Sequence, residues 1–155
     1  MSAAKFPGEY YVDMVVNKYF GNVDRKNMAA VLDTFNPDAV FSIQSAFTTH
    51  EGRDTGIRQM FRNLFDNYRT IVHKDFVHVL DVERNACAAQ FNVELTDPAG
   101  NLTKMSNCNF FYLDDAGEIQ TCVCLHERAK CPCLRTLGRH CNRWRMSATV
   151  NRHRR

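Results

Sequence analysis

Near residue 70 the apolar residues of this chain change their spacing, and this change limits the fold more than any other feature. Before that point, apolar side chains recur every three to four residues, which is the period of a helix packed on one face. After it they alternate, which is the period of a β-strand. The sequence therefore predicts helices first and a sheet afterwards, an order typical of the α+β class.

Three helices are predicted in the first part of the chain. The first covers about residues 8–20, the second ends before Pro37, and the third covers about residues 55–69. The third has the clearest apolar face, which consists of Ile57, Met60, Phe61, Leu64, Phe65 and Tyr68. Residues 39–44 read as a short strand followed by a polar loop.

Four strands are predicted after residue 70, at 71–82, 86–96, 102–113 and 118–127, with hairpin turns at DPAG and DDAG. They form an antiparallel meander, so the helices should pack on one face of a curved sheet. Strand alternation puts Asn107 and Asn109 on one side, and it predicts that His73 and His78 point to opposite faces. Neither side of strand 102–113 is plainly polar, so both should be covered, and we expect a homodimer.

The size and composition are those of one globular domain. The chain has 155 residues, of which 45% are apolar and 24% charged. No apolar run is long enough to span a membrane, and the first residues lack the pattern of a secretory signal. We therefore expect a cytoplasmic protein with no membrane association. The seven cysteines are not spaced like a disulfide scaffold and read as reduced core residues.

Charge divides the chain into a domain at 1–127 and a basic extension at 128–155. The extension contains nine Lys or Arg and no acid, whereas the domain has eleven Lys or Arg against seventeen Asp or Glu. An acidic domain argues against nucleic-acid binding, except weakly through the extension. The extension reads as a cationic segment with no fixed role, or as one that binds an acidic surface. Its zinc-ligating residue types, Cys131, Cys133, His140 and Cys141, do not have the usual zinc spacing.

Three stretches of the sequence carry a resemblance to a known family. They are PDAVFSI after the second helix, HEGRDTGIRQMF at the start of the third, and NFFYLDDAGEIQ across the last hairpin. Together with the element order, they resemble the SnoaL-like and ketosteroid isomerase branch of the nuclear transport factor 2-like superfamily, over about residues 8–127. The resemblance implies a cone-shaped sheet wrapped around the N-terminal helices. It also implies a cavity for an apolar small molecule, with no metal or organic cofactor.

The resemblance also implies roles for three residues. Asn109 stands where ketosteroid isomerase has the protonated Asp of its oxyanion hole, and Tyr19 stands where it has the oxyanion-hole Tyr. His126 stands where a cavity-lining Trp lies. Tyr19 and Asn109 are thus expected to donate hydrogen bonds to a carbonyl, and His126 to carry a proton. The structural alternatives are a hydroxyl bound to a backbone carbonyl, an amide that ties two strands, and a strand-end histidine bound at the surface.

Ile43 limits the reactions that the resemblance supports. It stands where ketosteroid isomerase has its catalytic base, and an isoleucine cannot move a proton, so steroid isomerisation by that mechanism is not expected. The meander also lacks the inward Asp–Arg–Asp cluster of limonene epoxide hydrolases. The resemblance implies a SnoaL-like isomerase, cyclase or dehydratase. The alternative is a non-catalytic domain that binds an apolar ligand, which the missing base favours.

Overall fold

A computed structural model describes residues 6–126 of the chain. The first helix, α1, consists of an α-helical turn Gly8–Val12, a π-helical segment Asp13–Phe20 and a last turn Gly21–Asp24, and α2 covers Met28–Leu32. The third, α3, joins a π-helical segment Gly52–Ile57 to an α-helix Arg58–Asn67. The strands are β1 Phe35–Ile43, β2 Thr48–Glu51, β3 Thr70–Asp81, β4 Ala86–Thr96, β5 Leu102–Leu113 and β6 Ile119–His126.

All six strands belong to one open sheet in the order β2-β1-β6-β5-β4-β3. The last four strands form the predicted antiparallel meander. The contact between β1 and β6 is parallel, so the sheet is mixed. The α+β class predicted from the sequence is confirmed, while β2, in the stretch read as a polar loop, was missed. Its four residues are too few for alternation to be recognised.

The helix α1 runs four residues beyond its predicted end and turns more slowly than an α-helix. Its buried residues after Val15 are Tyr19, Phe20 and Val23, whereas Lys18 stays exposed. A π-helix bonds residue i to i+5 and so rotates each later side chain relative to an α-helix. The π-helical segment therefore turns Tyr19 and Phe20 together towards the sheet.

The strand β3 contains a bulge that changes which side chains face inwards. His73 pairs with Val93 and His78 pairs with Ala89, and the register shifts by one residue between them, near Asp75 with its φ of 57°. One extra residue turns the following side chains to the other face of a strand. His73 and His78 therefore share the inner face with Val93 and Ala89, both buried. The prediction that they point to opposite faces was wrong.

Buried aromatic rings fill the space between the helices and the inner face of the sheet. Tyr19 contacts Phe35, Phe61 and Phe111 edge to face, with ring centroids 5.7, 6.1 and 5.3 Å apart. At the start of α1, the Tyr10 hydroxyl donates to the carbonyl oxygen of Gly117 at 3.1 Å. Gly117 has a φ of 86°, and a Cβ there would lie 2.3 Å from that hydroxyl, so only glycine fits this turn. These contacts fix α1 across the sheet.

The outer face of the sheet carries large apolar side chains. Val79, Ala88, Phe110 and Val123 lie side by side across four strands, and Val79 is 70% exposed. Within residues 6–126, no helix has both the length and the apolar character needed to cross a bilayer. The predicted boundary at residue 127, the basic extension 128–155 and its cysteines lie outside the described residues.

Candidate functional site

A cavity of about 130 Å³ lies between the helices and the inner face of the sheet. Its wall is mostly apolar, with contributions from α1, α3 and five strands. Six lining residues carry a polar atom: Tyr19, His73, Asn107, Asn109, Cys124 and His126. A largely apolar cavity with few inward polar groups is the usual form of a small-molecule site.

The three residues predicted from the sequence, Tyr19, Asn109 and His126, all line this cavity. Asn109 lies opposite Cys124 across β5 and β6, and one step along the sheet Asn107 lies opposite His126. Side chains at such opposite positions have Cβ atoms about 5 Å apart. The amides and the His126 ring therefore form one polar band on an otherwise apolar wall.

The Tyr19 hydroxyl is buried in surroundings that keep it protonated. The residue is 3% exposed, and burial, followed by the nearby thiols of Cys122 and Cys124, raises its pKa well above the ordinary value. The group thus stays protonated at neutral pH. Within residues 6–126 the hydroxyl makes no hydrogen bond, so the backbone carbonyl required by the structural alternative is not found there.

Asn107 and Asn109 are buried without a partner for their side-chain oxygens. Asn109 is 2% exposed and Asn107 6%, and neither Oδ1 atom has a hydrogen-bond partner within residues 6–126. Buried side-chain polar atoms are usually paired, so each such exception needs an explanation. The structural alternative required the Asn109 amide to tie neighbouring strands together, and within residues 6–126 it makes no such hydrogen bond.

His126 ends β6 at the rim of the polar band. Its backbone N–H donates to Ser45 Oγ at 3.4 Å, and burial lowers the pKa of its imidazole below the ordinary value. The ring is therefore neutral near pH 7 and can accept a proton. Glu127, the next residue in the chain and a potential surface partner of the ring, lies outside the described residues.

A second histidine, His73, lies in the cavity wall and was not selected from the sequence. Its Nδ1 lies 2.5 Å from Oδ1 of Asp24, and its backbone N–H donates to Oδ2 of the same carboxylate at 3.0 Å. The His73 ring packs against the rings of Phe20 and Phe91, with centroids 4.5 and 5.2 Å away. A carboxylate on Nδ1 fixes the tautomer that leaves Nε2 as the proton acceptor.

The end of α1 positions Asp24. Two residues later, the Lys26 ammonium donates to the carbonyl oxygens of Phe65, at 2.8 Å, and Tyr68 at the end of α3. Cations near a helix C-terminus are stabilised by its unpaired carbonyls. This contact fixes the turn that holds Asp24 against β3. No sequence spacing signals the Asp24–His73 pair, because the two residues are 49 positions apart and the bulge changes the facing of β3.

The other groups in the wall do not offer metal or thiolate chemistry. Burial raises the pKa of the Cys124 thiol, so it remains protonated and weakly nucleophilic. In the part of the chain that the structure describes, no three His, Cys, Asp or Glu side chains are grouped to hold a metal ion. Ile43 also lines the cavity and adds only an apolar surface.

The helices and the open mixed sheet, with an apolar cavity between them, define a domain of the cone-shaped α+β class. Residues 16–121 match the family model of the SnoaL-like domain, and the chain belongs to that family. The predicted membership of the SnoaL-like branch is confirmed. No curated protein matches the chain.

Solved structures with the same fold are distant in sequence. A candidate polyketide cyclase from Xanthomonas campestris pv. campestris is 18% identical, with a TM-score of 0.67, covering 77% of this chain and 91% of its own. A candidate aromatic ring hydroxylase from Novosphingobium aromaticivorans is 24% identical, with a TM-score of 0.65 and coverages of 81% and 94%. AusH from Aspergillus nidulans is 10% identical, with a TM-score of 0.68 and coverages of 78% and 86%. Such similarity establishes the nuclear transport factor 2-like fold.

Proposed function

We propose that this chain is a cofactor-independent enzyme that moves a proton on an apolar small molecule, as an isomerase, cyclase or dehydratase of SnoaL-like type. The observation that carries the proposal is the His73 imidazole, which lines an apolar cavity and is held by the Asp24 carboxylate at 2.5 Å. A base oriented by a third group is the usual arrangement for proton abstraction.

Each polar group of the cavity has a role in this reaction. His73 Nε2 takes the proton next to the substrate carbonyl, and Asp24 acts as a positioning residue. Tyr19 and Asn109 donate hydrogen bonds to the oxygen that becomes negative, a contribution worth about 3 kcal/mol per donor in other enzymes. His126, neutral at pH 7, is the second proton carrier. The candidate cyclase with the same fold is consistent with a reaction of this kind.

Hydrogen–deuterium exchange tests the proposal because the isotope reports proton abstraction whatever the final product is. Cyclic ketones are incubated with the full chain in D₂O, and deuterium at the carbon next to the carbonyl is followed by NMR. We expect faster exchange than in buffer and a fall of at least roughly 100-fold in His73→Gln. His50→Gln, which changes a histidine outside the cavity wall, is the control and should retain the rate. Equal exchange in wild type and His73→Gln would exclude the proposal.

The alternative is a non-catalytic domain that holds an apolar ligand. Ile43 favours it, because an apolar side chain lies in the cavity at the position where the family resemblance implies a base. Native mass spectrometry separates the two functions. A retained ligand that is recovered unchanged, with no isotope exchange, supports the binding domain.

We also propose that the outer face of the sheet is covered by a second copy of the chain and that the protein acts in the cytoplasm. The outer face exposes Val77, Val79, Phe110, Tyr112 and Leu125, and contiguous apolar patches of this kind commonly mark protein interfaces. The cytoplasm fits the four described cysteines, which are free thiols, because reducing conditions preserve thiols.

A further inference from the structure

The carboxamides of Asn107 and Asn109 each have an acceptor and a donor group that no residue in 6–126 satisfies. Their Oδ1 atoms are buried without a partner, and no hydrogen bond of either Nδ2 group is found there. Asn92, on the opposite face of the neighbouring strand β4, behaves differently, because its Nδ2 donates to Asp75 at 3.0 Å. The inward amides are therefore available to a molecule in the cavity.

The chemistry of an amide selects the group that it binds best. A ketone oxygen can only accept, so it would satisfy Nδ2 and leave Oδ1 unpaired. A hydroxyl group donates one hydrogen bond and accepts others, so it can satisfy both ends of an amide. Two adjacent amides on one wall thus favour a hydroxyl group over a ketone, and both over a methyl group.

The dimensions of the cavity limit the rest of the molecule. Its volume is about 130 Å³, and a protein cavity of about 150 Å³ holds one benzene molecule. The cavity wall also includes the rings of Phe20 and Phe91, whose centroids are 4.5 Å apart. Aromatic side chains pack well against a planar ring. One six-membered ring matches this volume, and a second fused ring would extend beyond it.

We propose that the cavity binds single-ring compounds bearing a hydroxyl group, which Asn107 and Asn109 recognise. This inference rests on the proposed function in that it names the substrate class of the same cavity. Hydroxylated cyclic ketones are the corresponding substrates. Their hydroxyl accepts from Asn107 and donates to Oδ1 of Asn109, while their carbonyl accepts from Tyr19 and from Nδ2 of Asn109. It concerns binding alone and needs no catalytic step.

Titrations with four commercial probes test the proposal. Phenol, toluene, cyclohexanone and 1-naphthol are added to the ¹⁵N-labelled full chain, and the shifts of the side-chain amide signals give dissociation constants. We expect phenol to bind about tenfold more tightly than toluene, because toluene leaves both Oδ1 atoms unpaired. Cyclohexanone should lie between them, and 1-naphthol should bind more weakly than phenol. In a purely apolar cavity the order of phenol and toluene would be reversed, since phenol loses its hydration.

Variants assign the preference to the two amides. In Asn107→Leu/Asn109→Leu the advantage of phenol over toluene should be lost, and in the control Asn92→Leu it should persist. The wild-type order of the four probes tests the proposal even if the double variant does not fold. Phenol binding should survive in His73→Gln, in which proton exchange is lost, so the binding and catalytic proposals are tested separately.

Three results would overturn the inference. Toluene binding as tightly as phenol would remove the role of the amides but leave an apolar ligand cavity. Tighter binding of 1-naphthol than of phenol would remove the single-ring limit. No binding of any probe would contradict this inference, whereas the proposed function is tested by isotope exchange.

Discussion

His73 receives two contacts from Asp24, one to its ring and one to its backbone N–H. The second contact is made one residue before Lys74, after which the pairing of β3 with β4 shifts its register. A single carboxylate therefore orients the imidazole and holds the backbone beside the bulge. A variant that removes only the charge should consequently disturb the imidazole, whereas one that removes the whole side chain should also disturb the backbone.

Asp24→Asn tests the orientation of the imidazole. An amide can present its NH₂ group to Nδ1 and so favour the tautomer with the proton on Nε2, which cannot act as a base. We expect the exchange rate on cyclic ketones to fall roughly 10- to 100-fold. Asp24→Glu, which keeps the carboxylate, should recover part of the rate. Asp13→Asn, an exposed carboxylate on the same helix, serves as the control. Equal rates in the Asn and Glu variants would contradict the positioning role.

Asn109→Leu separates a ligand-binding amide from a structural one. Because the Oδ1 atom has no partner among the described residues, the free energy of unfolding should stay the same or rise. Binding of ketones should weaken by about 1–3 kcal/mol because one donor is missing. Urea denaturation and ligand titration measure the two quantities. A lower unfolding midpoint with unchanged binding per folded molecule would assign Asn109 a structural role.

Two hairpins contain a backbone conformation that some residue types adopt more readily than others. Each contains a short 3₁₀ turn followed by one residue with a left-handed backbone, which is Asn85 between β3 and β4 and Phe47 between β1 and β2. Asparagine adopts this conformation readily, and its side chain here accepts a hydrogen bond from the Tyr11 hydroxyl at 3.0 Å. Phe47 has a φ of 53° and is 85% exposed, so its hairpin is strained without gaining buried surface.

Phe47→Asn should therefore stabilise the protein. The expected gain in the free energy of unfolding is about 1 kcal/mol, the usual cost of a left-handed backbone for a residue with a bulky side chain. Phe47→Leu is the matched control, because it removes the ring and keeps the strained backbone, and it should give no gain. Denaturant titration of the three proteins measures the difference. Equal stability of the Asn and Leu variants would show that the strain is absent.

At the scale of the whole molecule, histidines that are wholly or partly buried couple stability to pH. Burial lowers the pKa values of His50, His78 and His126 below the ordinary value. The unfolded chain, with histidine pKa values near about 6.5, thus binds more protons than the folded one just below that pH. Above about pH 6.5 the histidines are neutral in both states, and their full contribution to stability is present. This contribution decreases as the pH falls from about 6.5 through the lower pKa values of the folded state.

Denaturation at pH 7.5 and at pH 5.5 tests this coupling. The free energy of unfolding of the wild type should be lower at the acidic pH, and His126→Asn should reduce the difference between the two. Carboxylates with lowered pKa values, such as Glu94, lose their contribution only nearer to about pH 4 and do not account for the change. A His126→Asn variant with the same pH dependence as the wild type would contradict the prediction.

The exposed outer face gives a prediction about assembly. At tens of micromolar, light scattering should report a mass of twice the 17.9 kDa chain. Val79→Lys/Phe110→Lys puts two charges into the apolar row of the outer face, and a buried charge without a partner opposes association, so this variant should be monomeric. Leu102→Lys, an exposed position at the far end of β5, should leave the mass unchanged. A wild type that is monomeric at this concentration would exclude the dimer.

The sequence by itself determined the types and order of most elements. Strand periods depend on residues a few positions apart, so β3, β4 and β5 were predicted at their observed bounds or within one residue of them. The same local patterns predicted that Tyr19 is buried and that Asn107 and Asn109 face the same side of the sheet. Family resemblance, carried by short motifs, then pointed to the cavity that these residues line.

Only the tertiary structure decided which distant residues meet. Asp24 reaches His73 because a π-helical segment rotates α1 and a bulge shifts β3, and both are local irregularities that the average period conceals. The parallel contact of β1 with β6 could not be predicted either, because strands far apart in the chain pair through backbone groups that all residues except proline share. Side-chain periodicity encodes which face of an element is buried, whereas its partner across the core is chosen by packing of the whole chain.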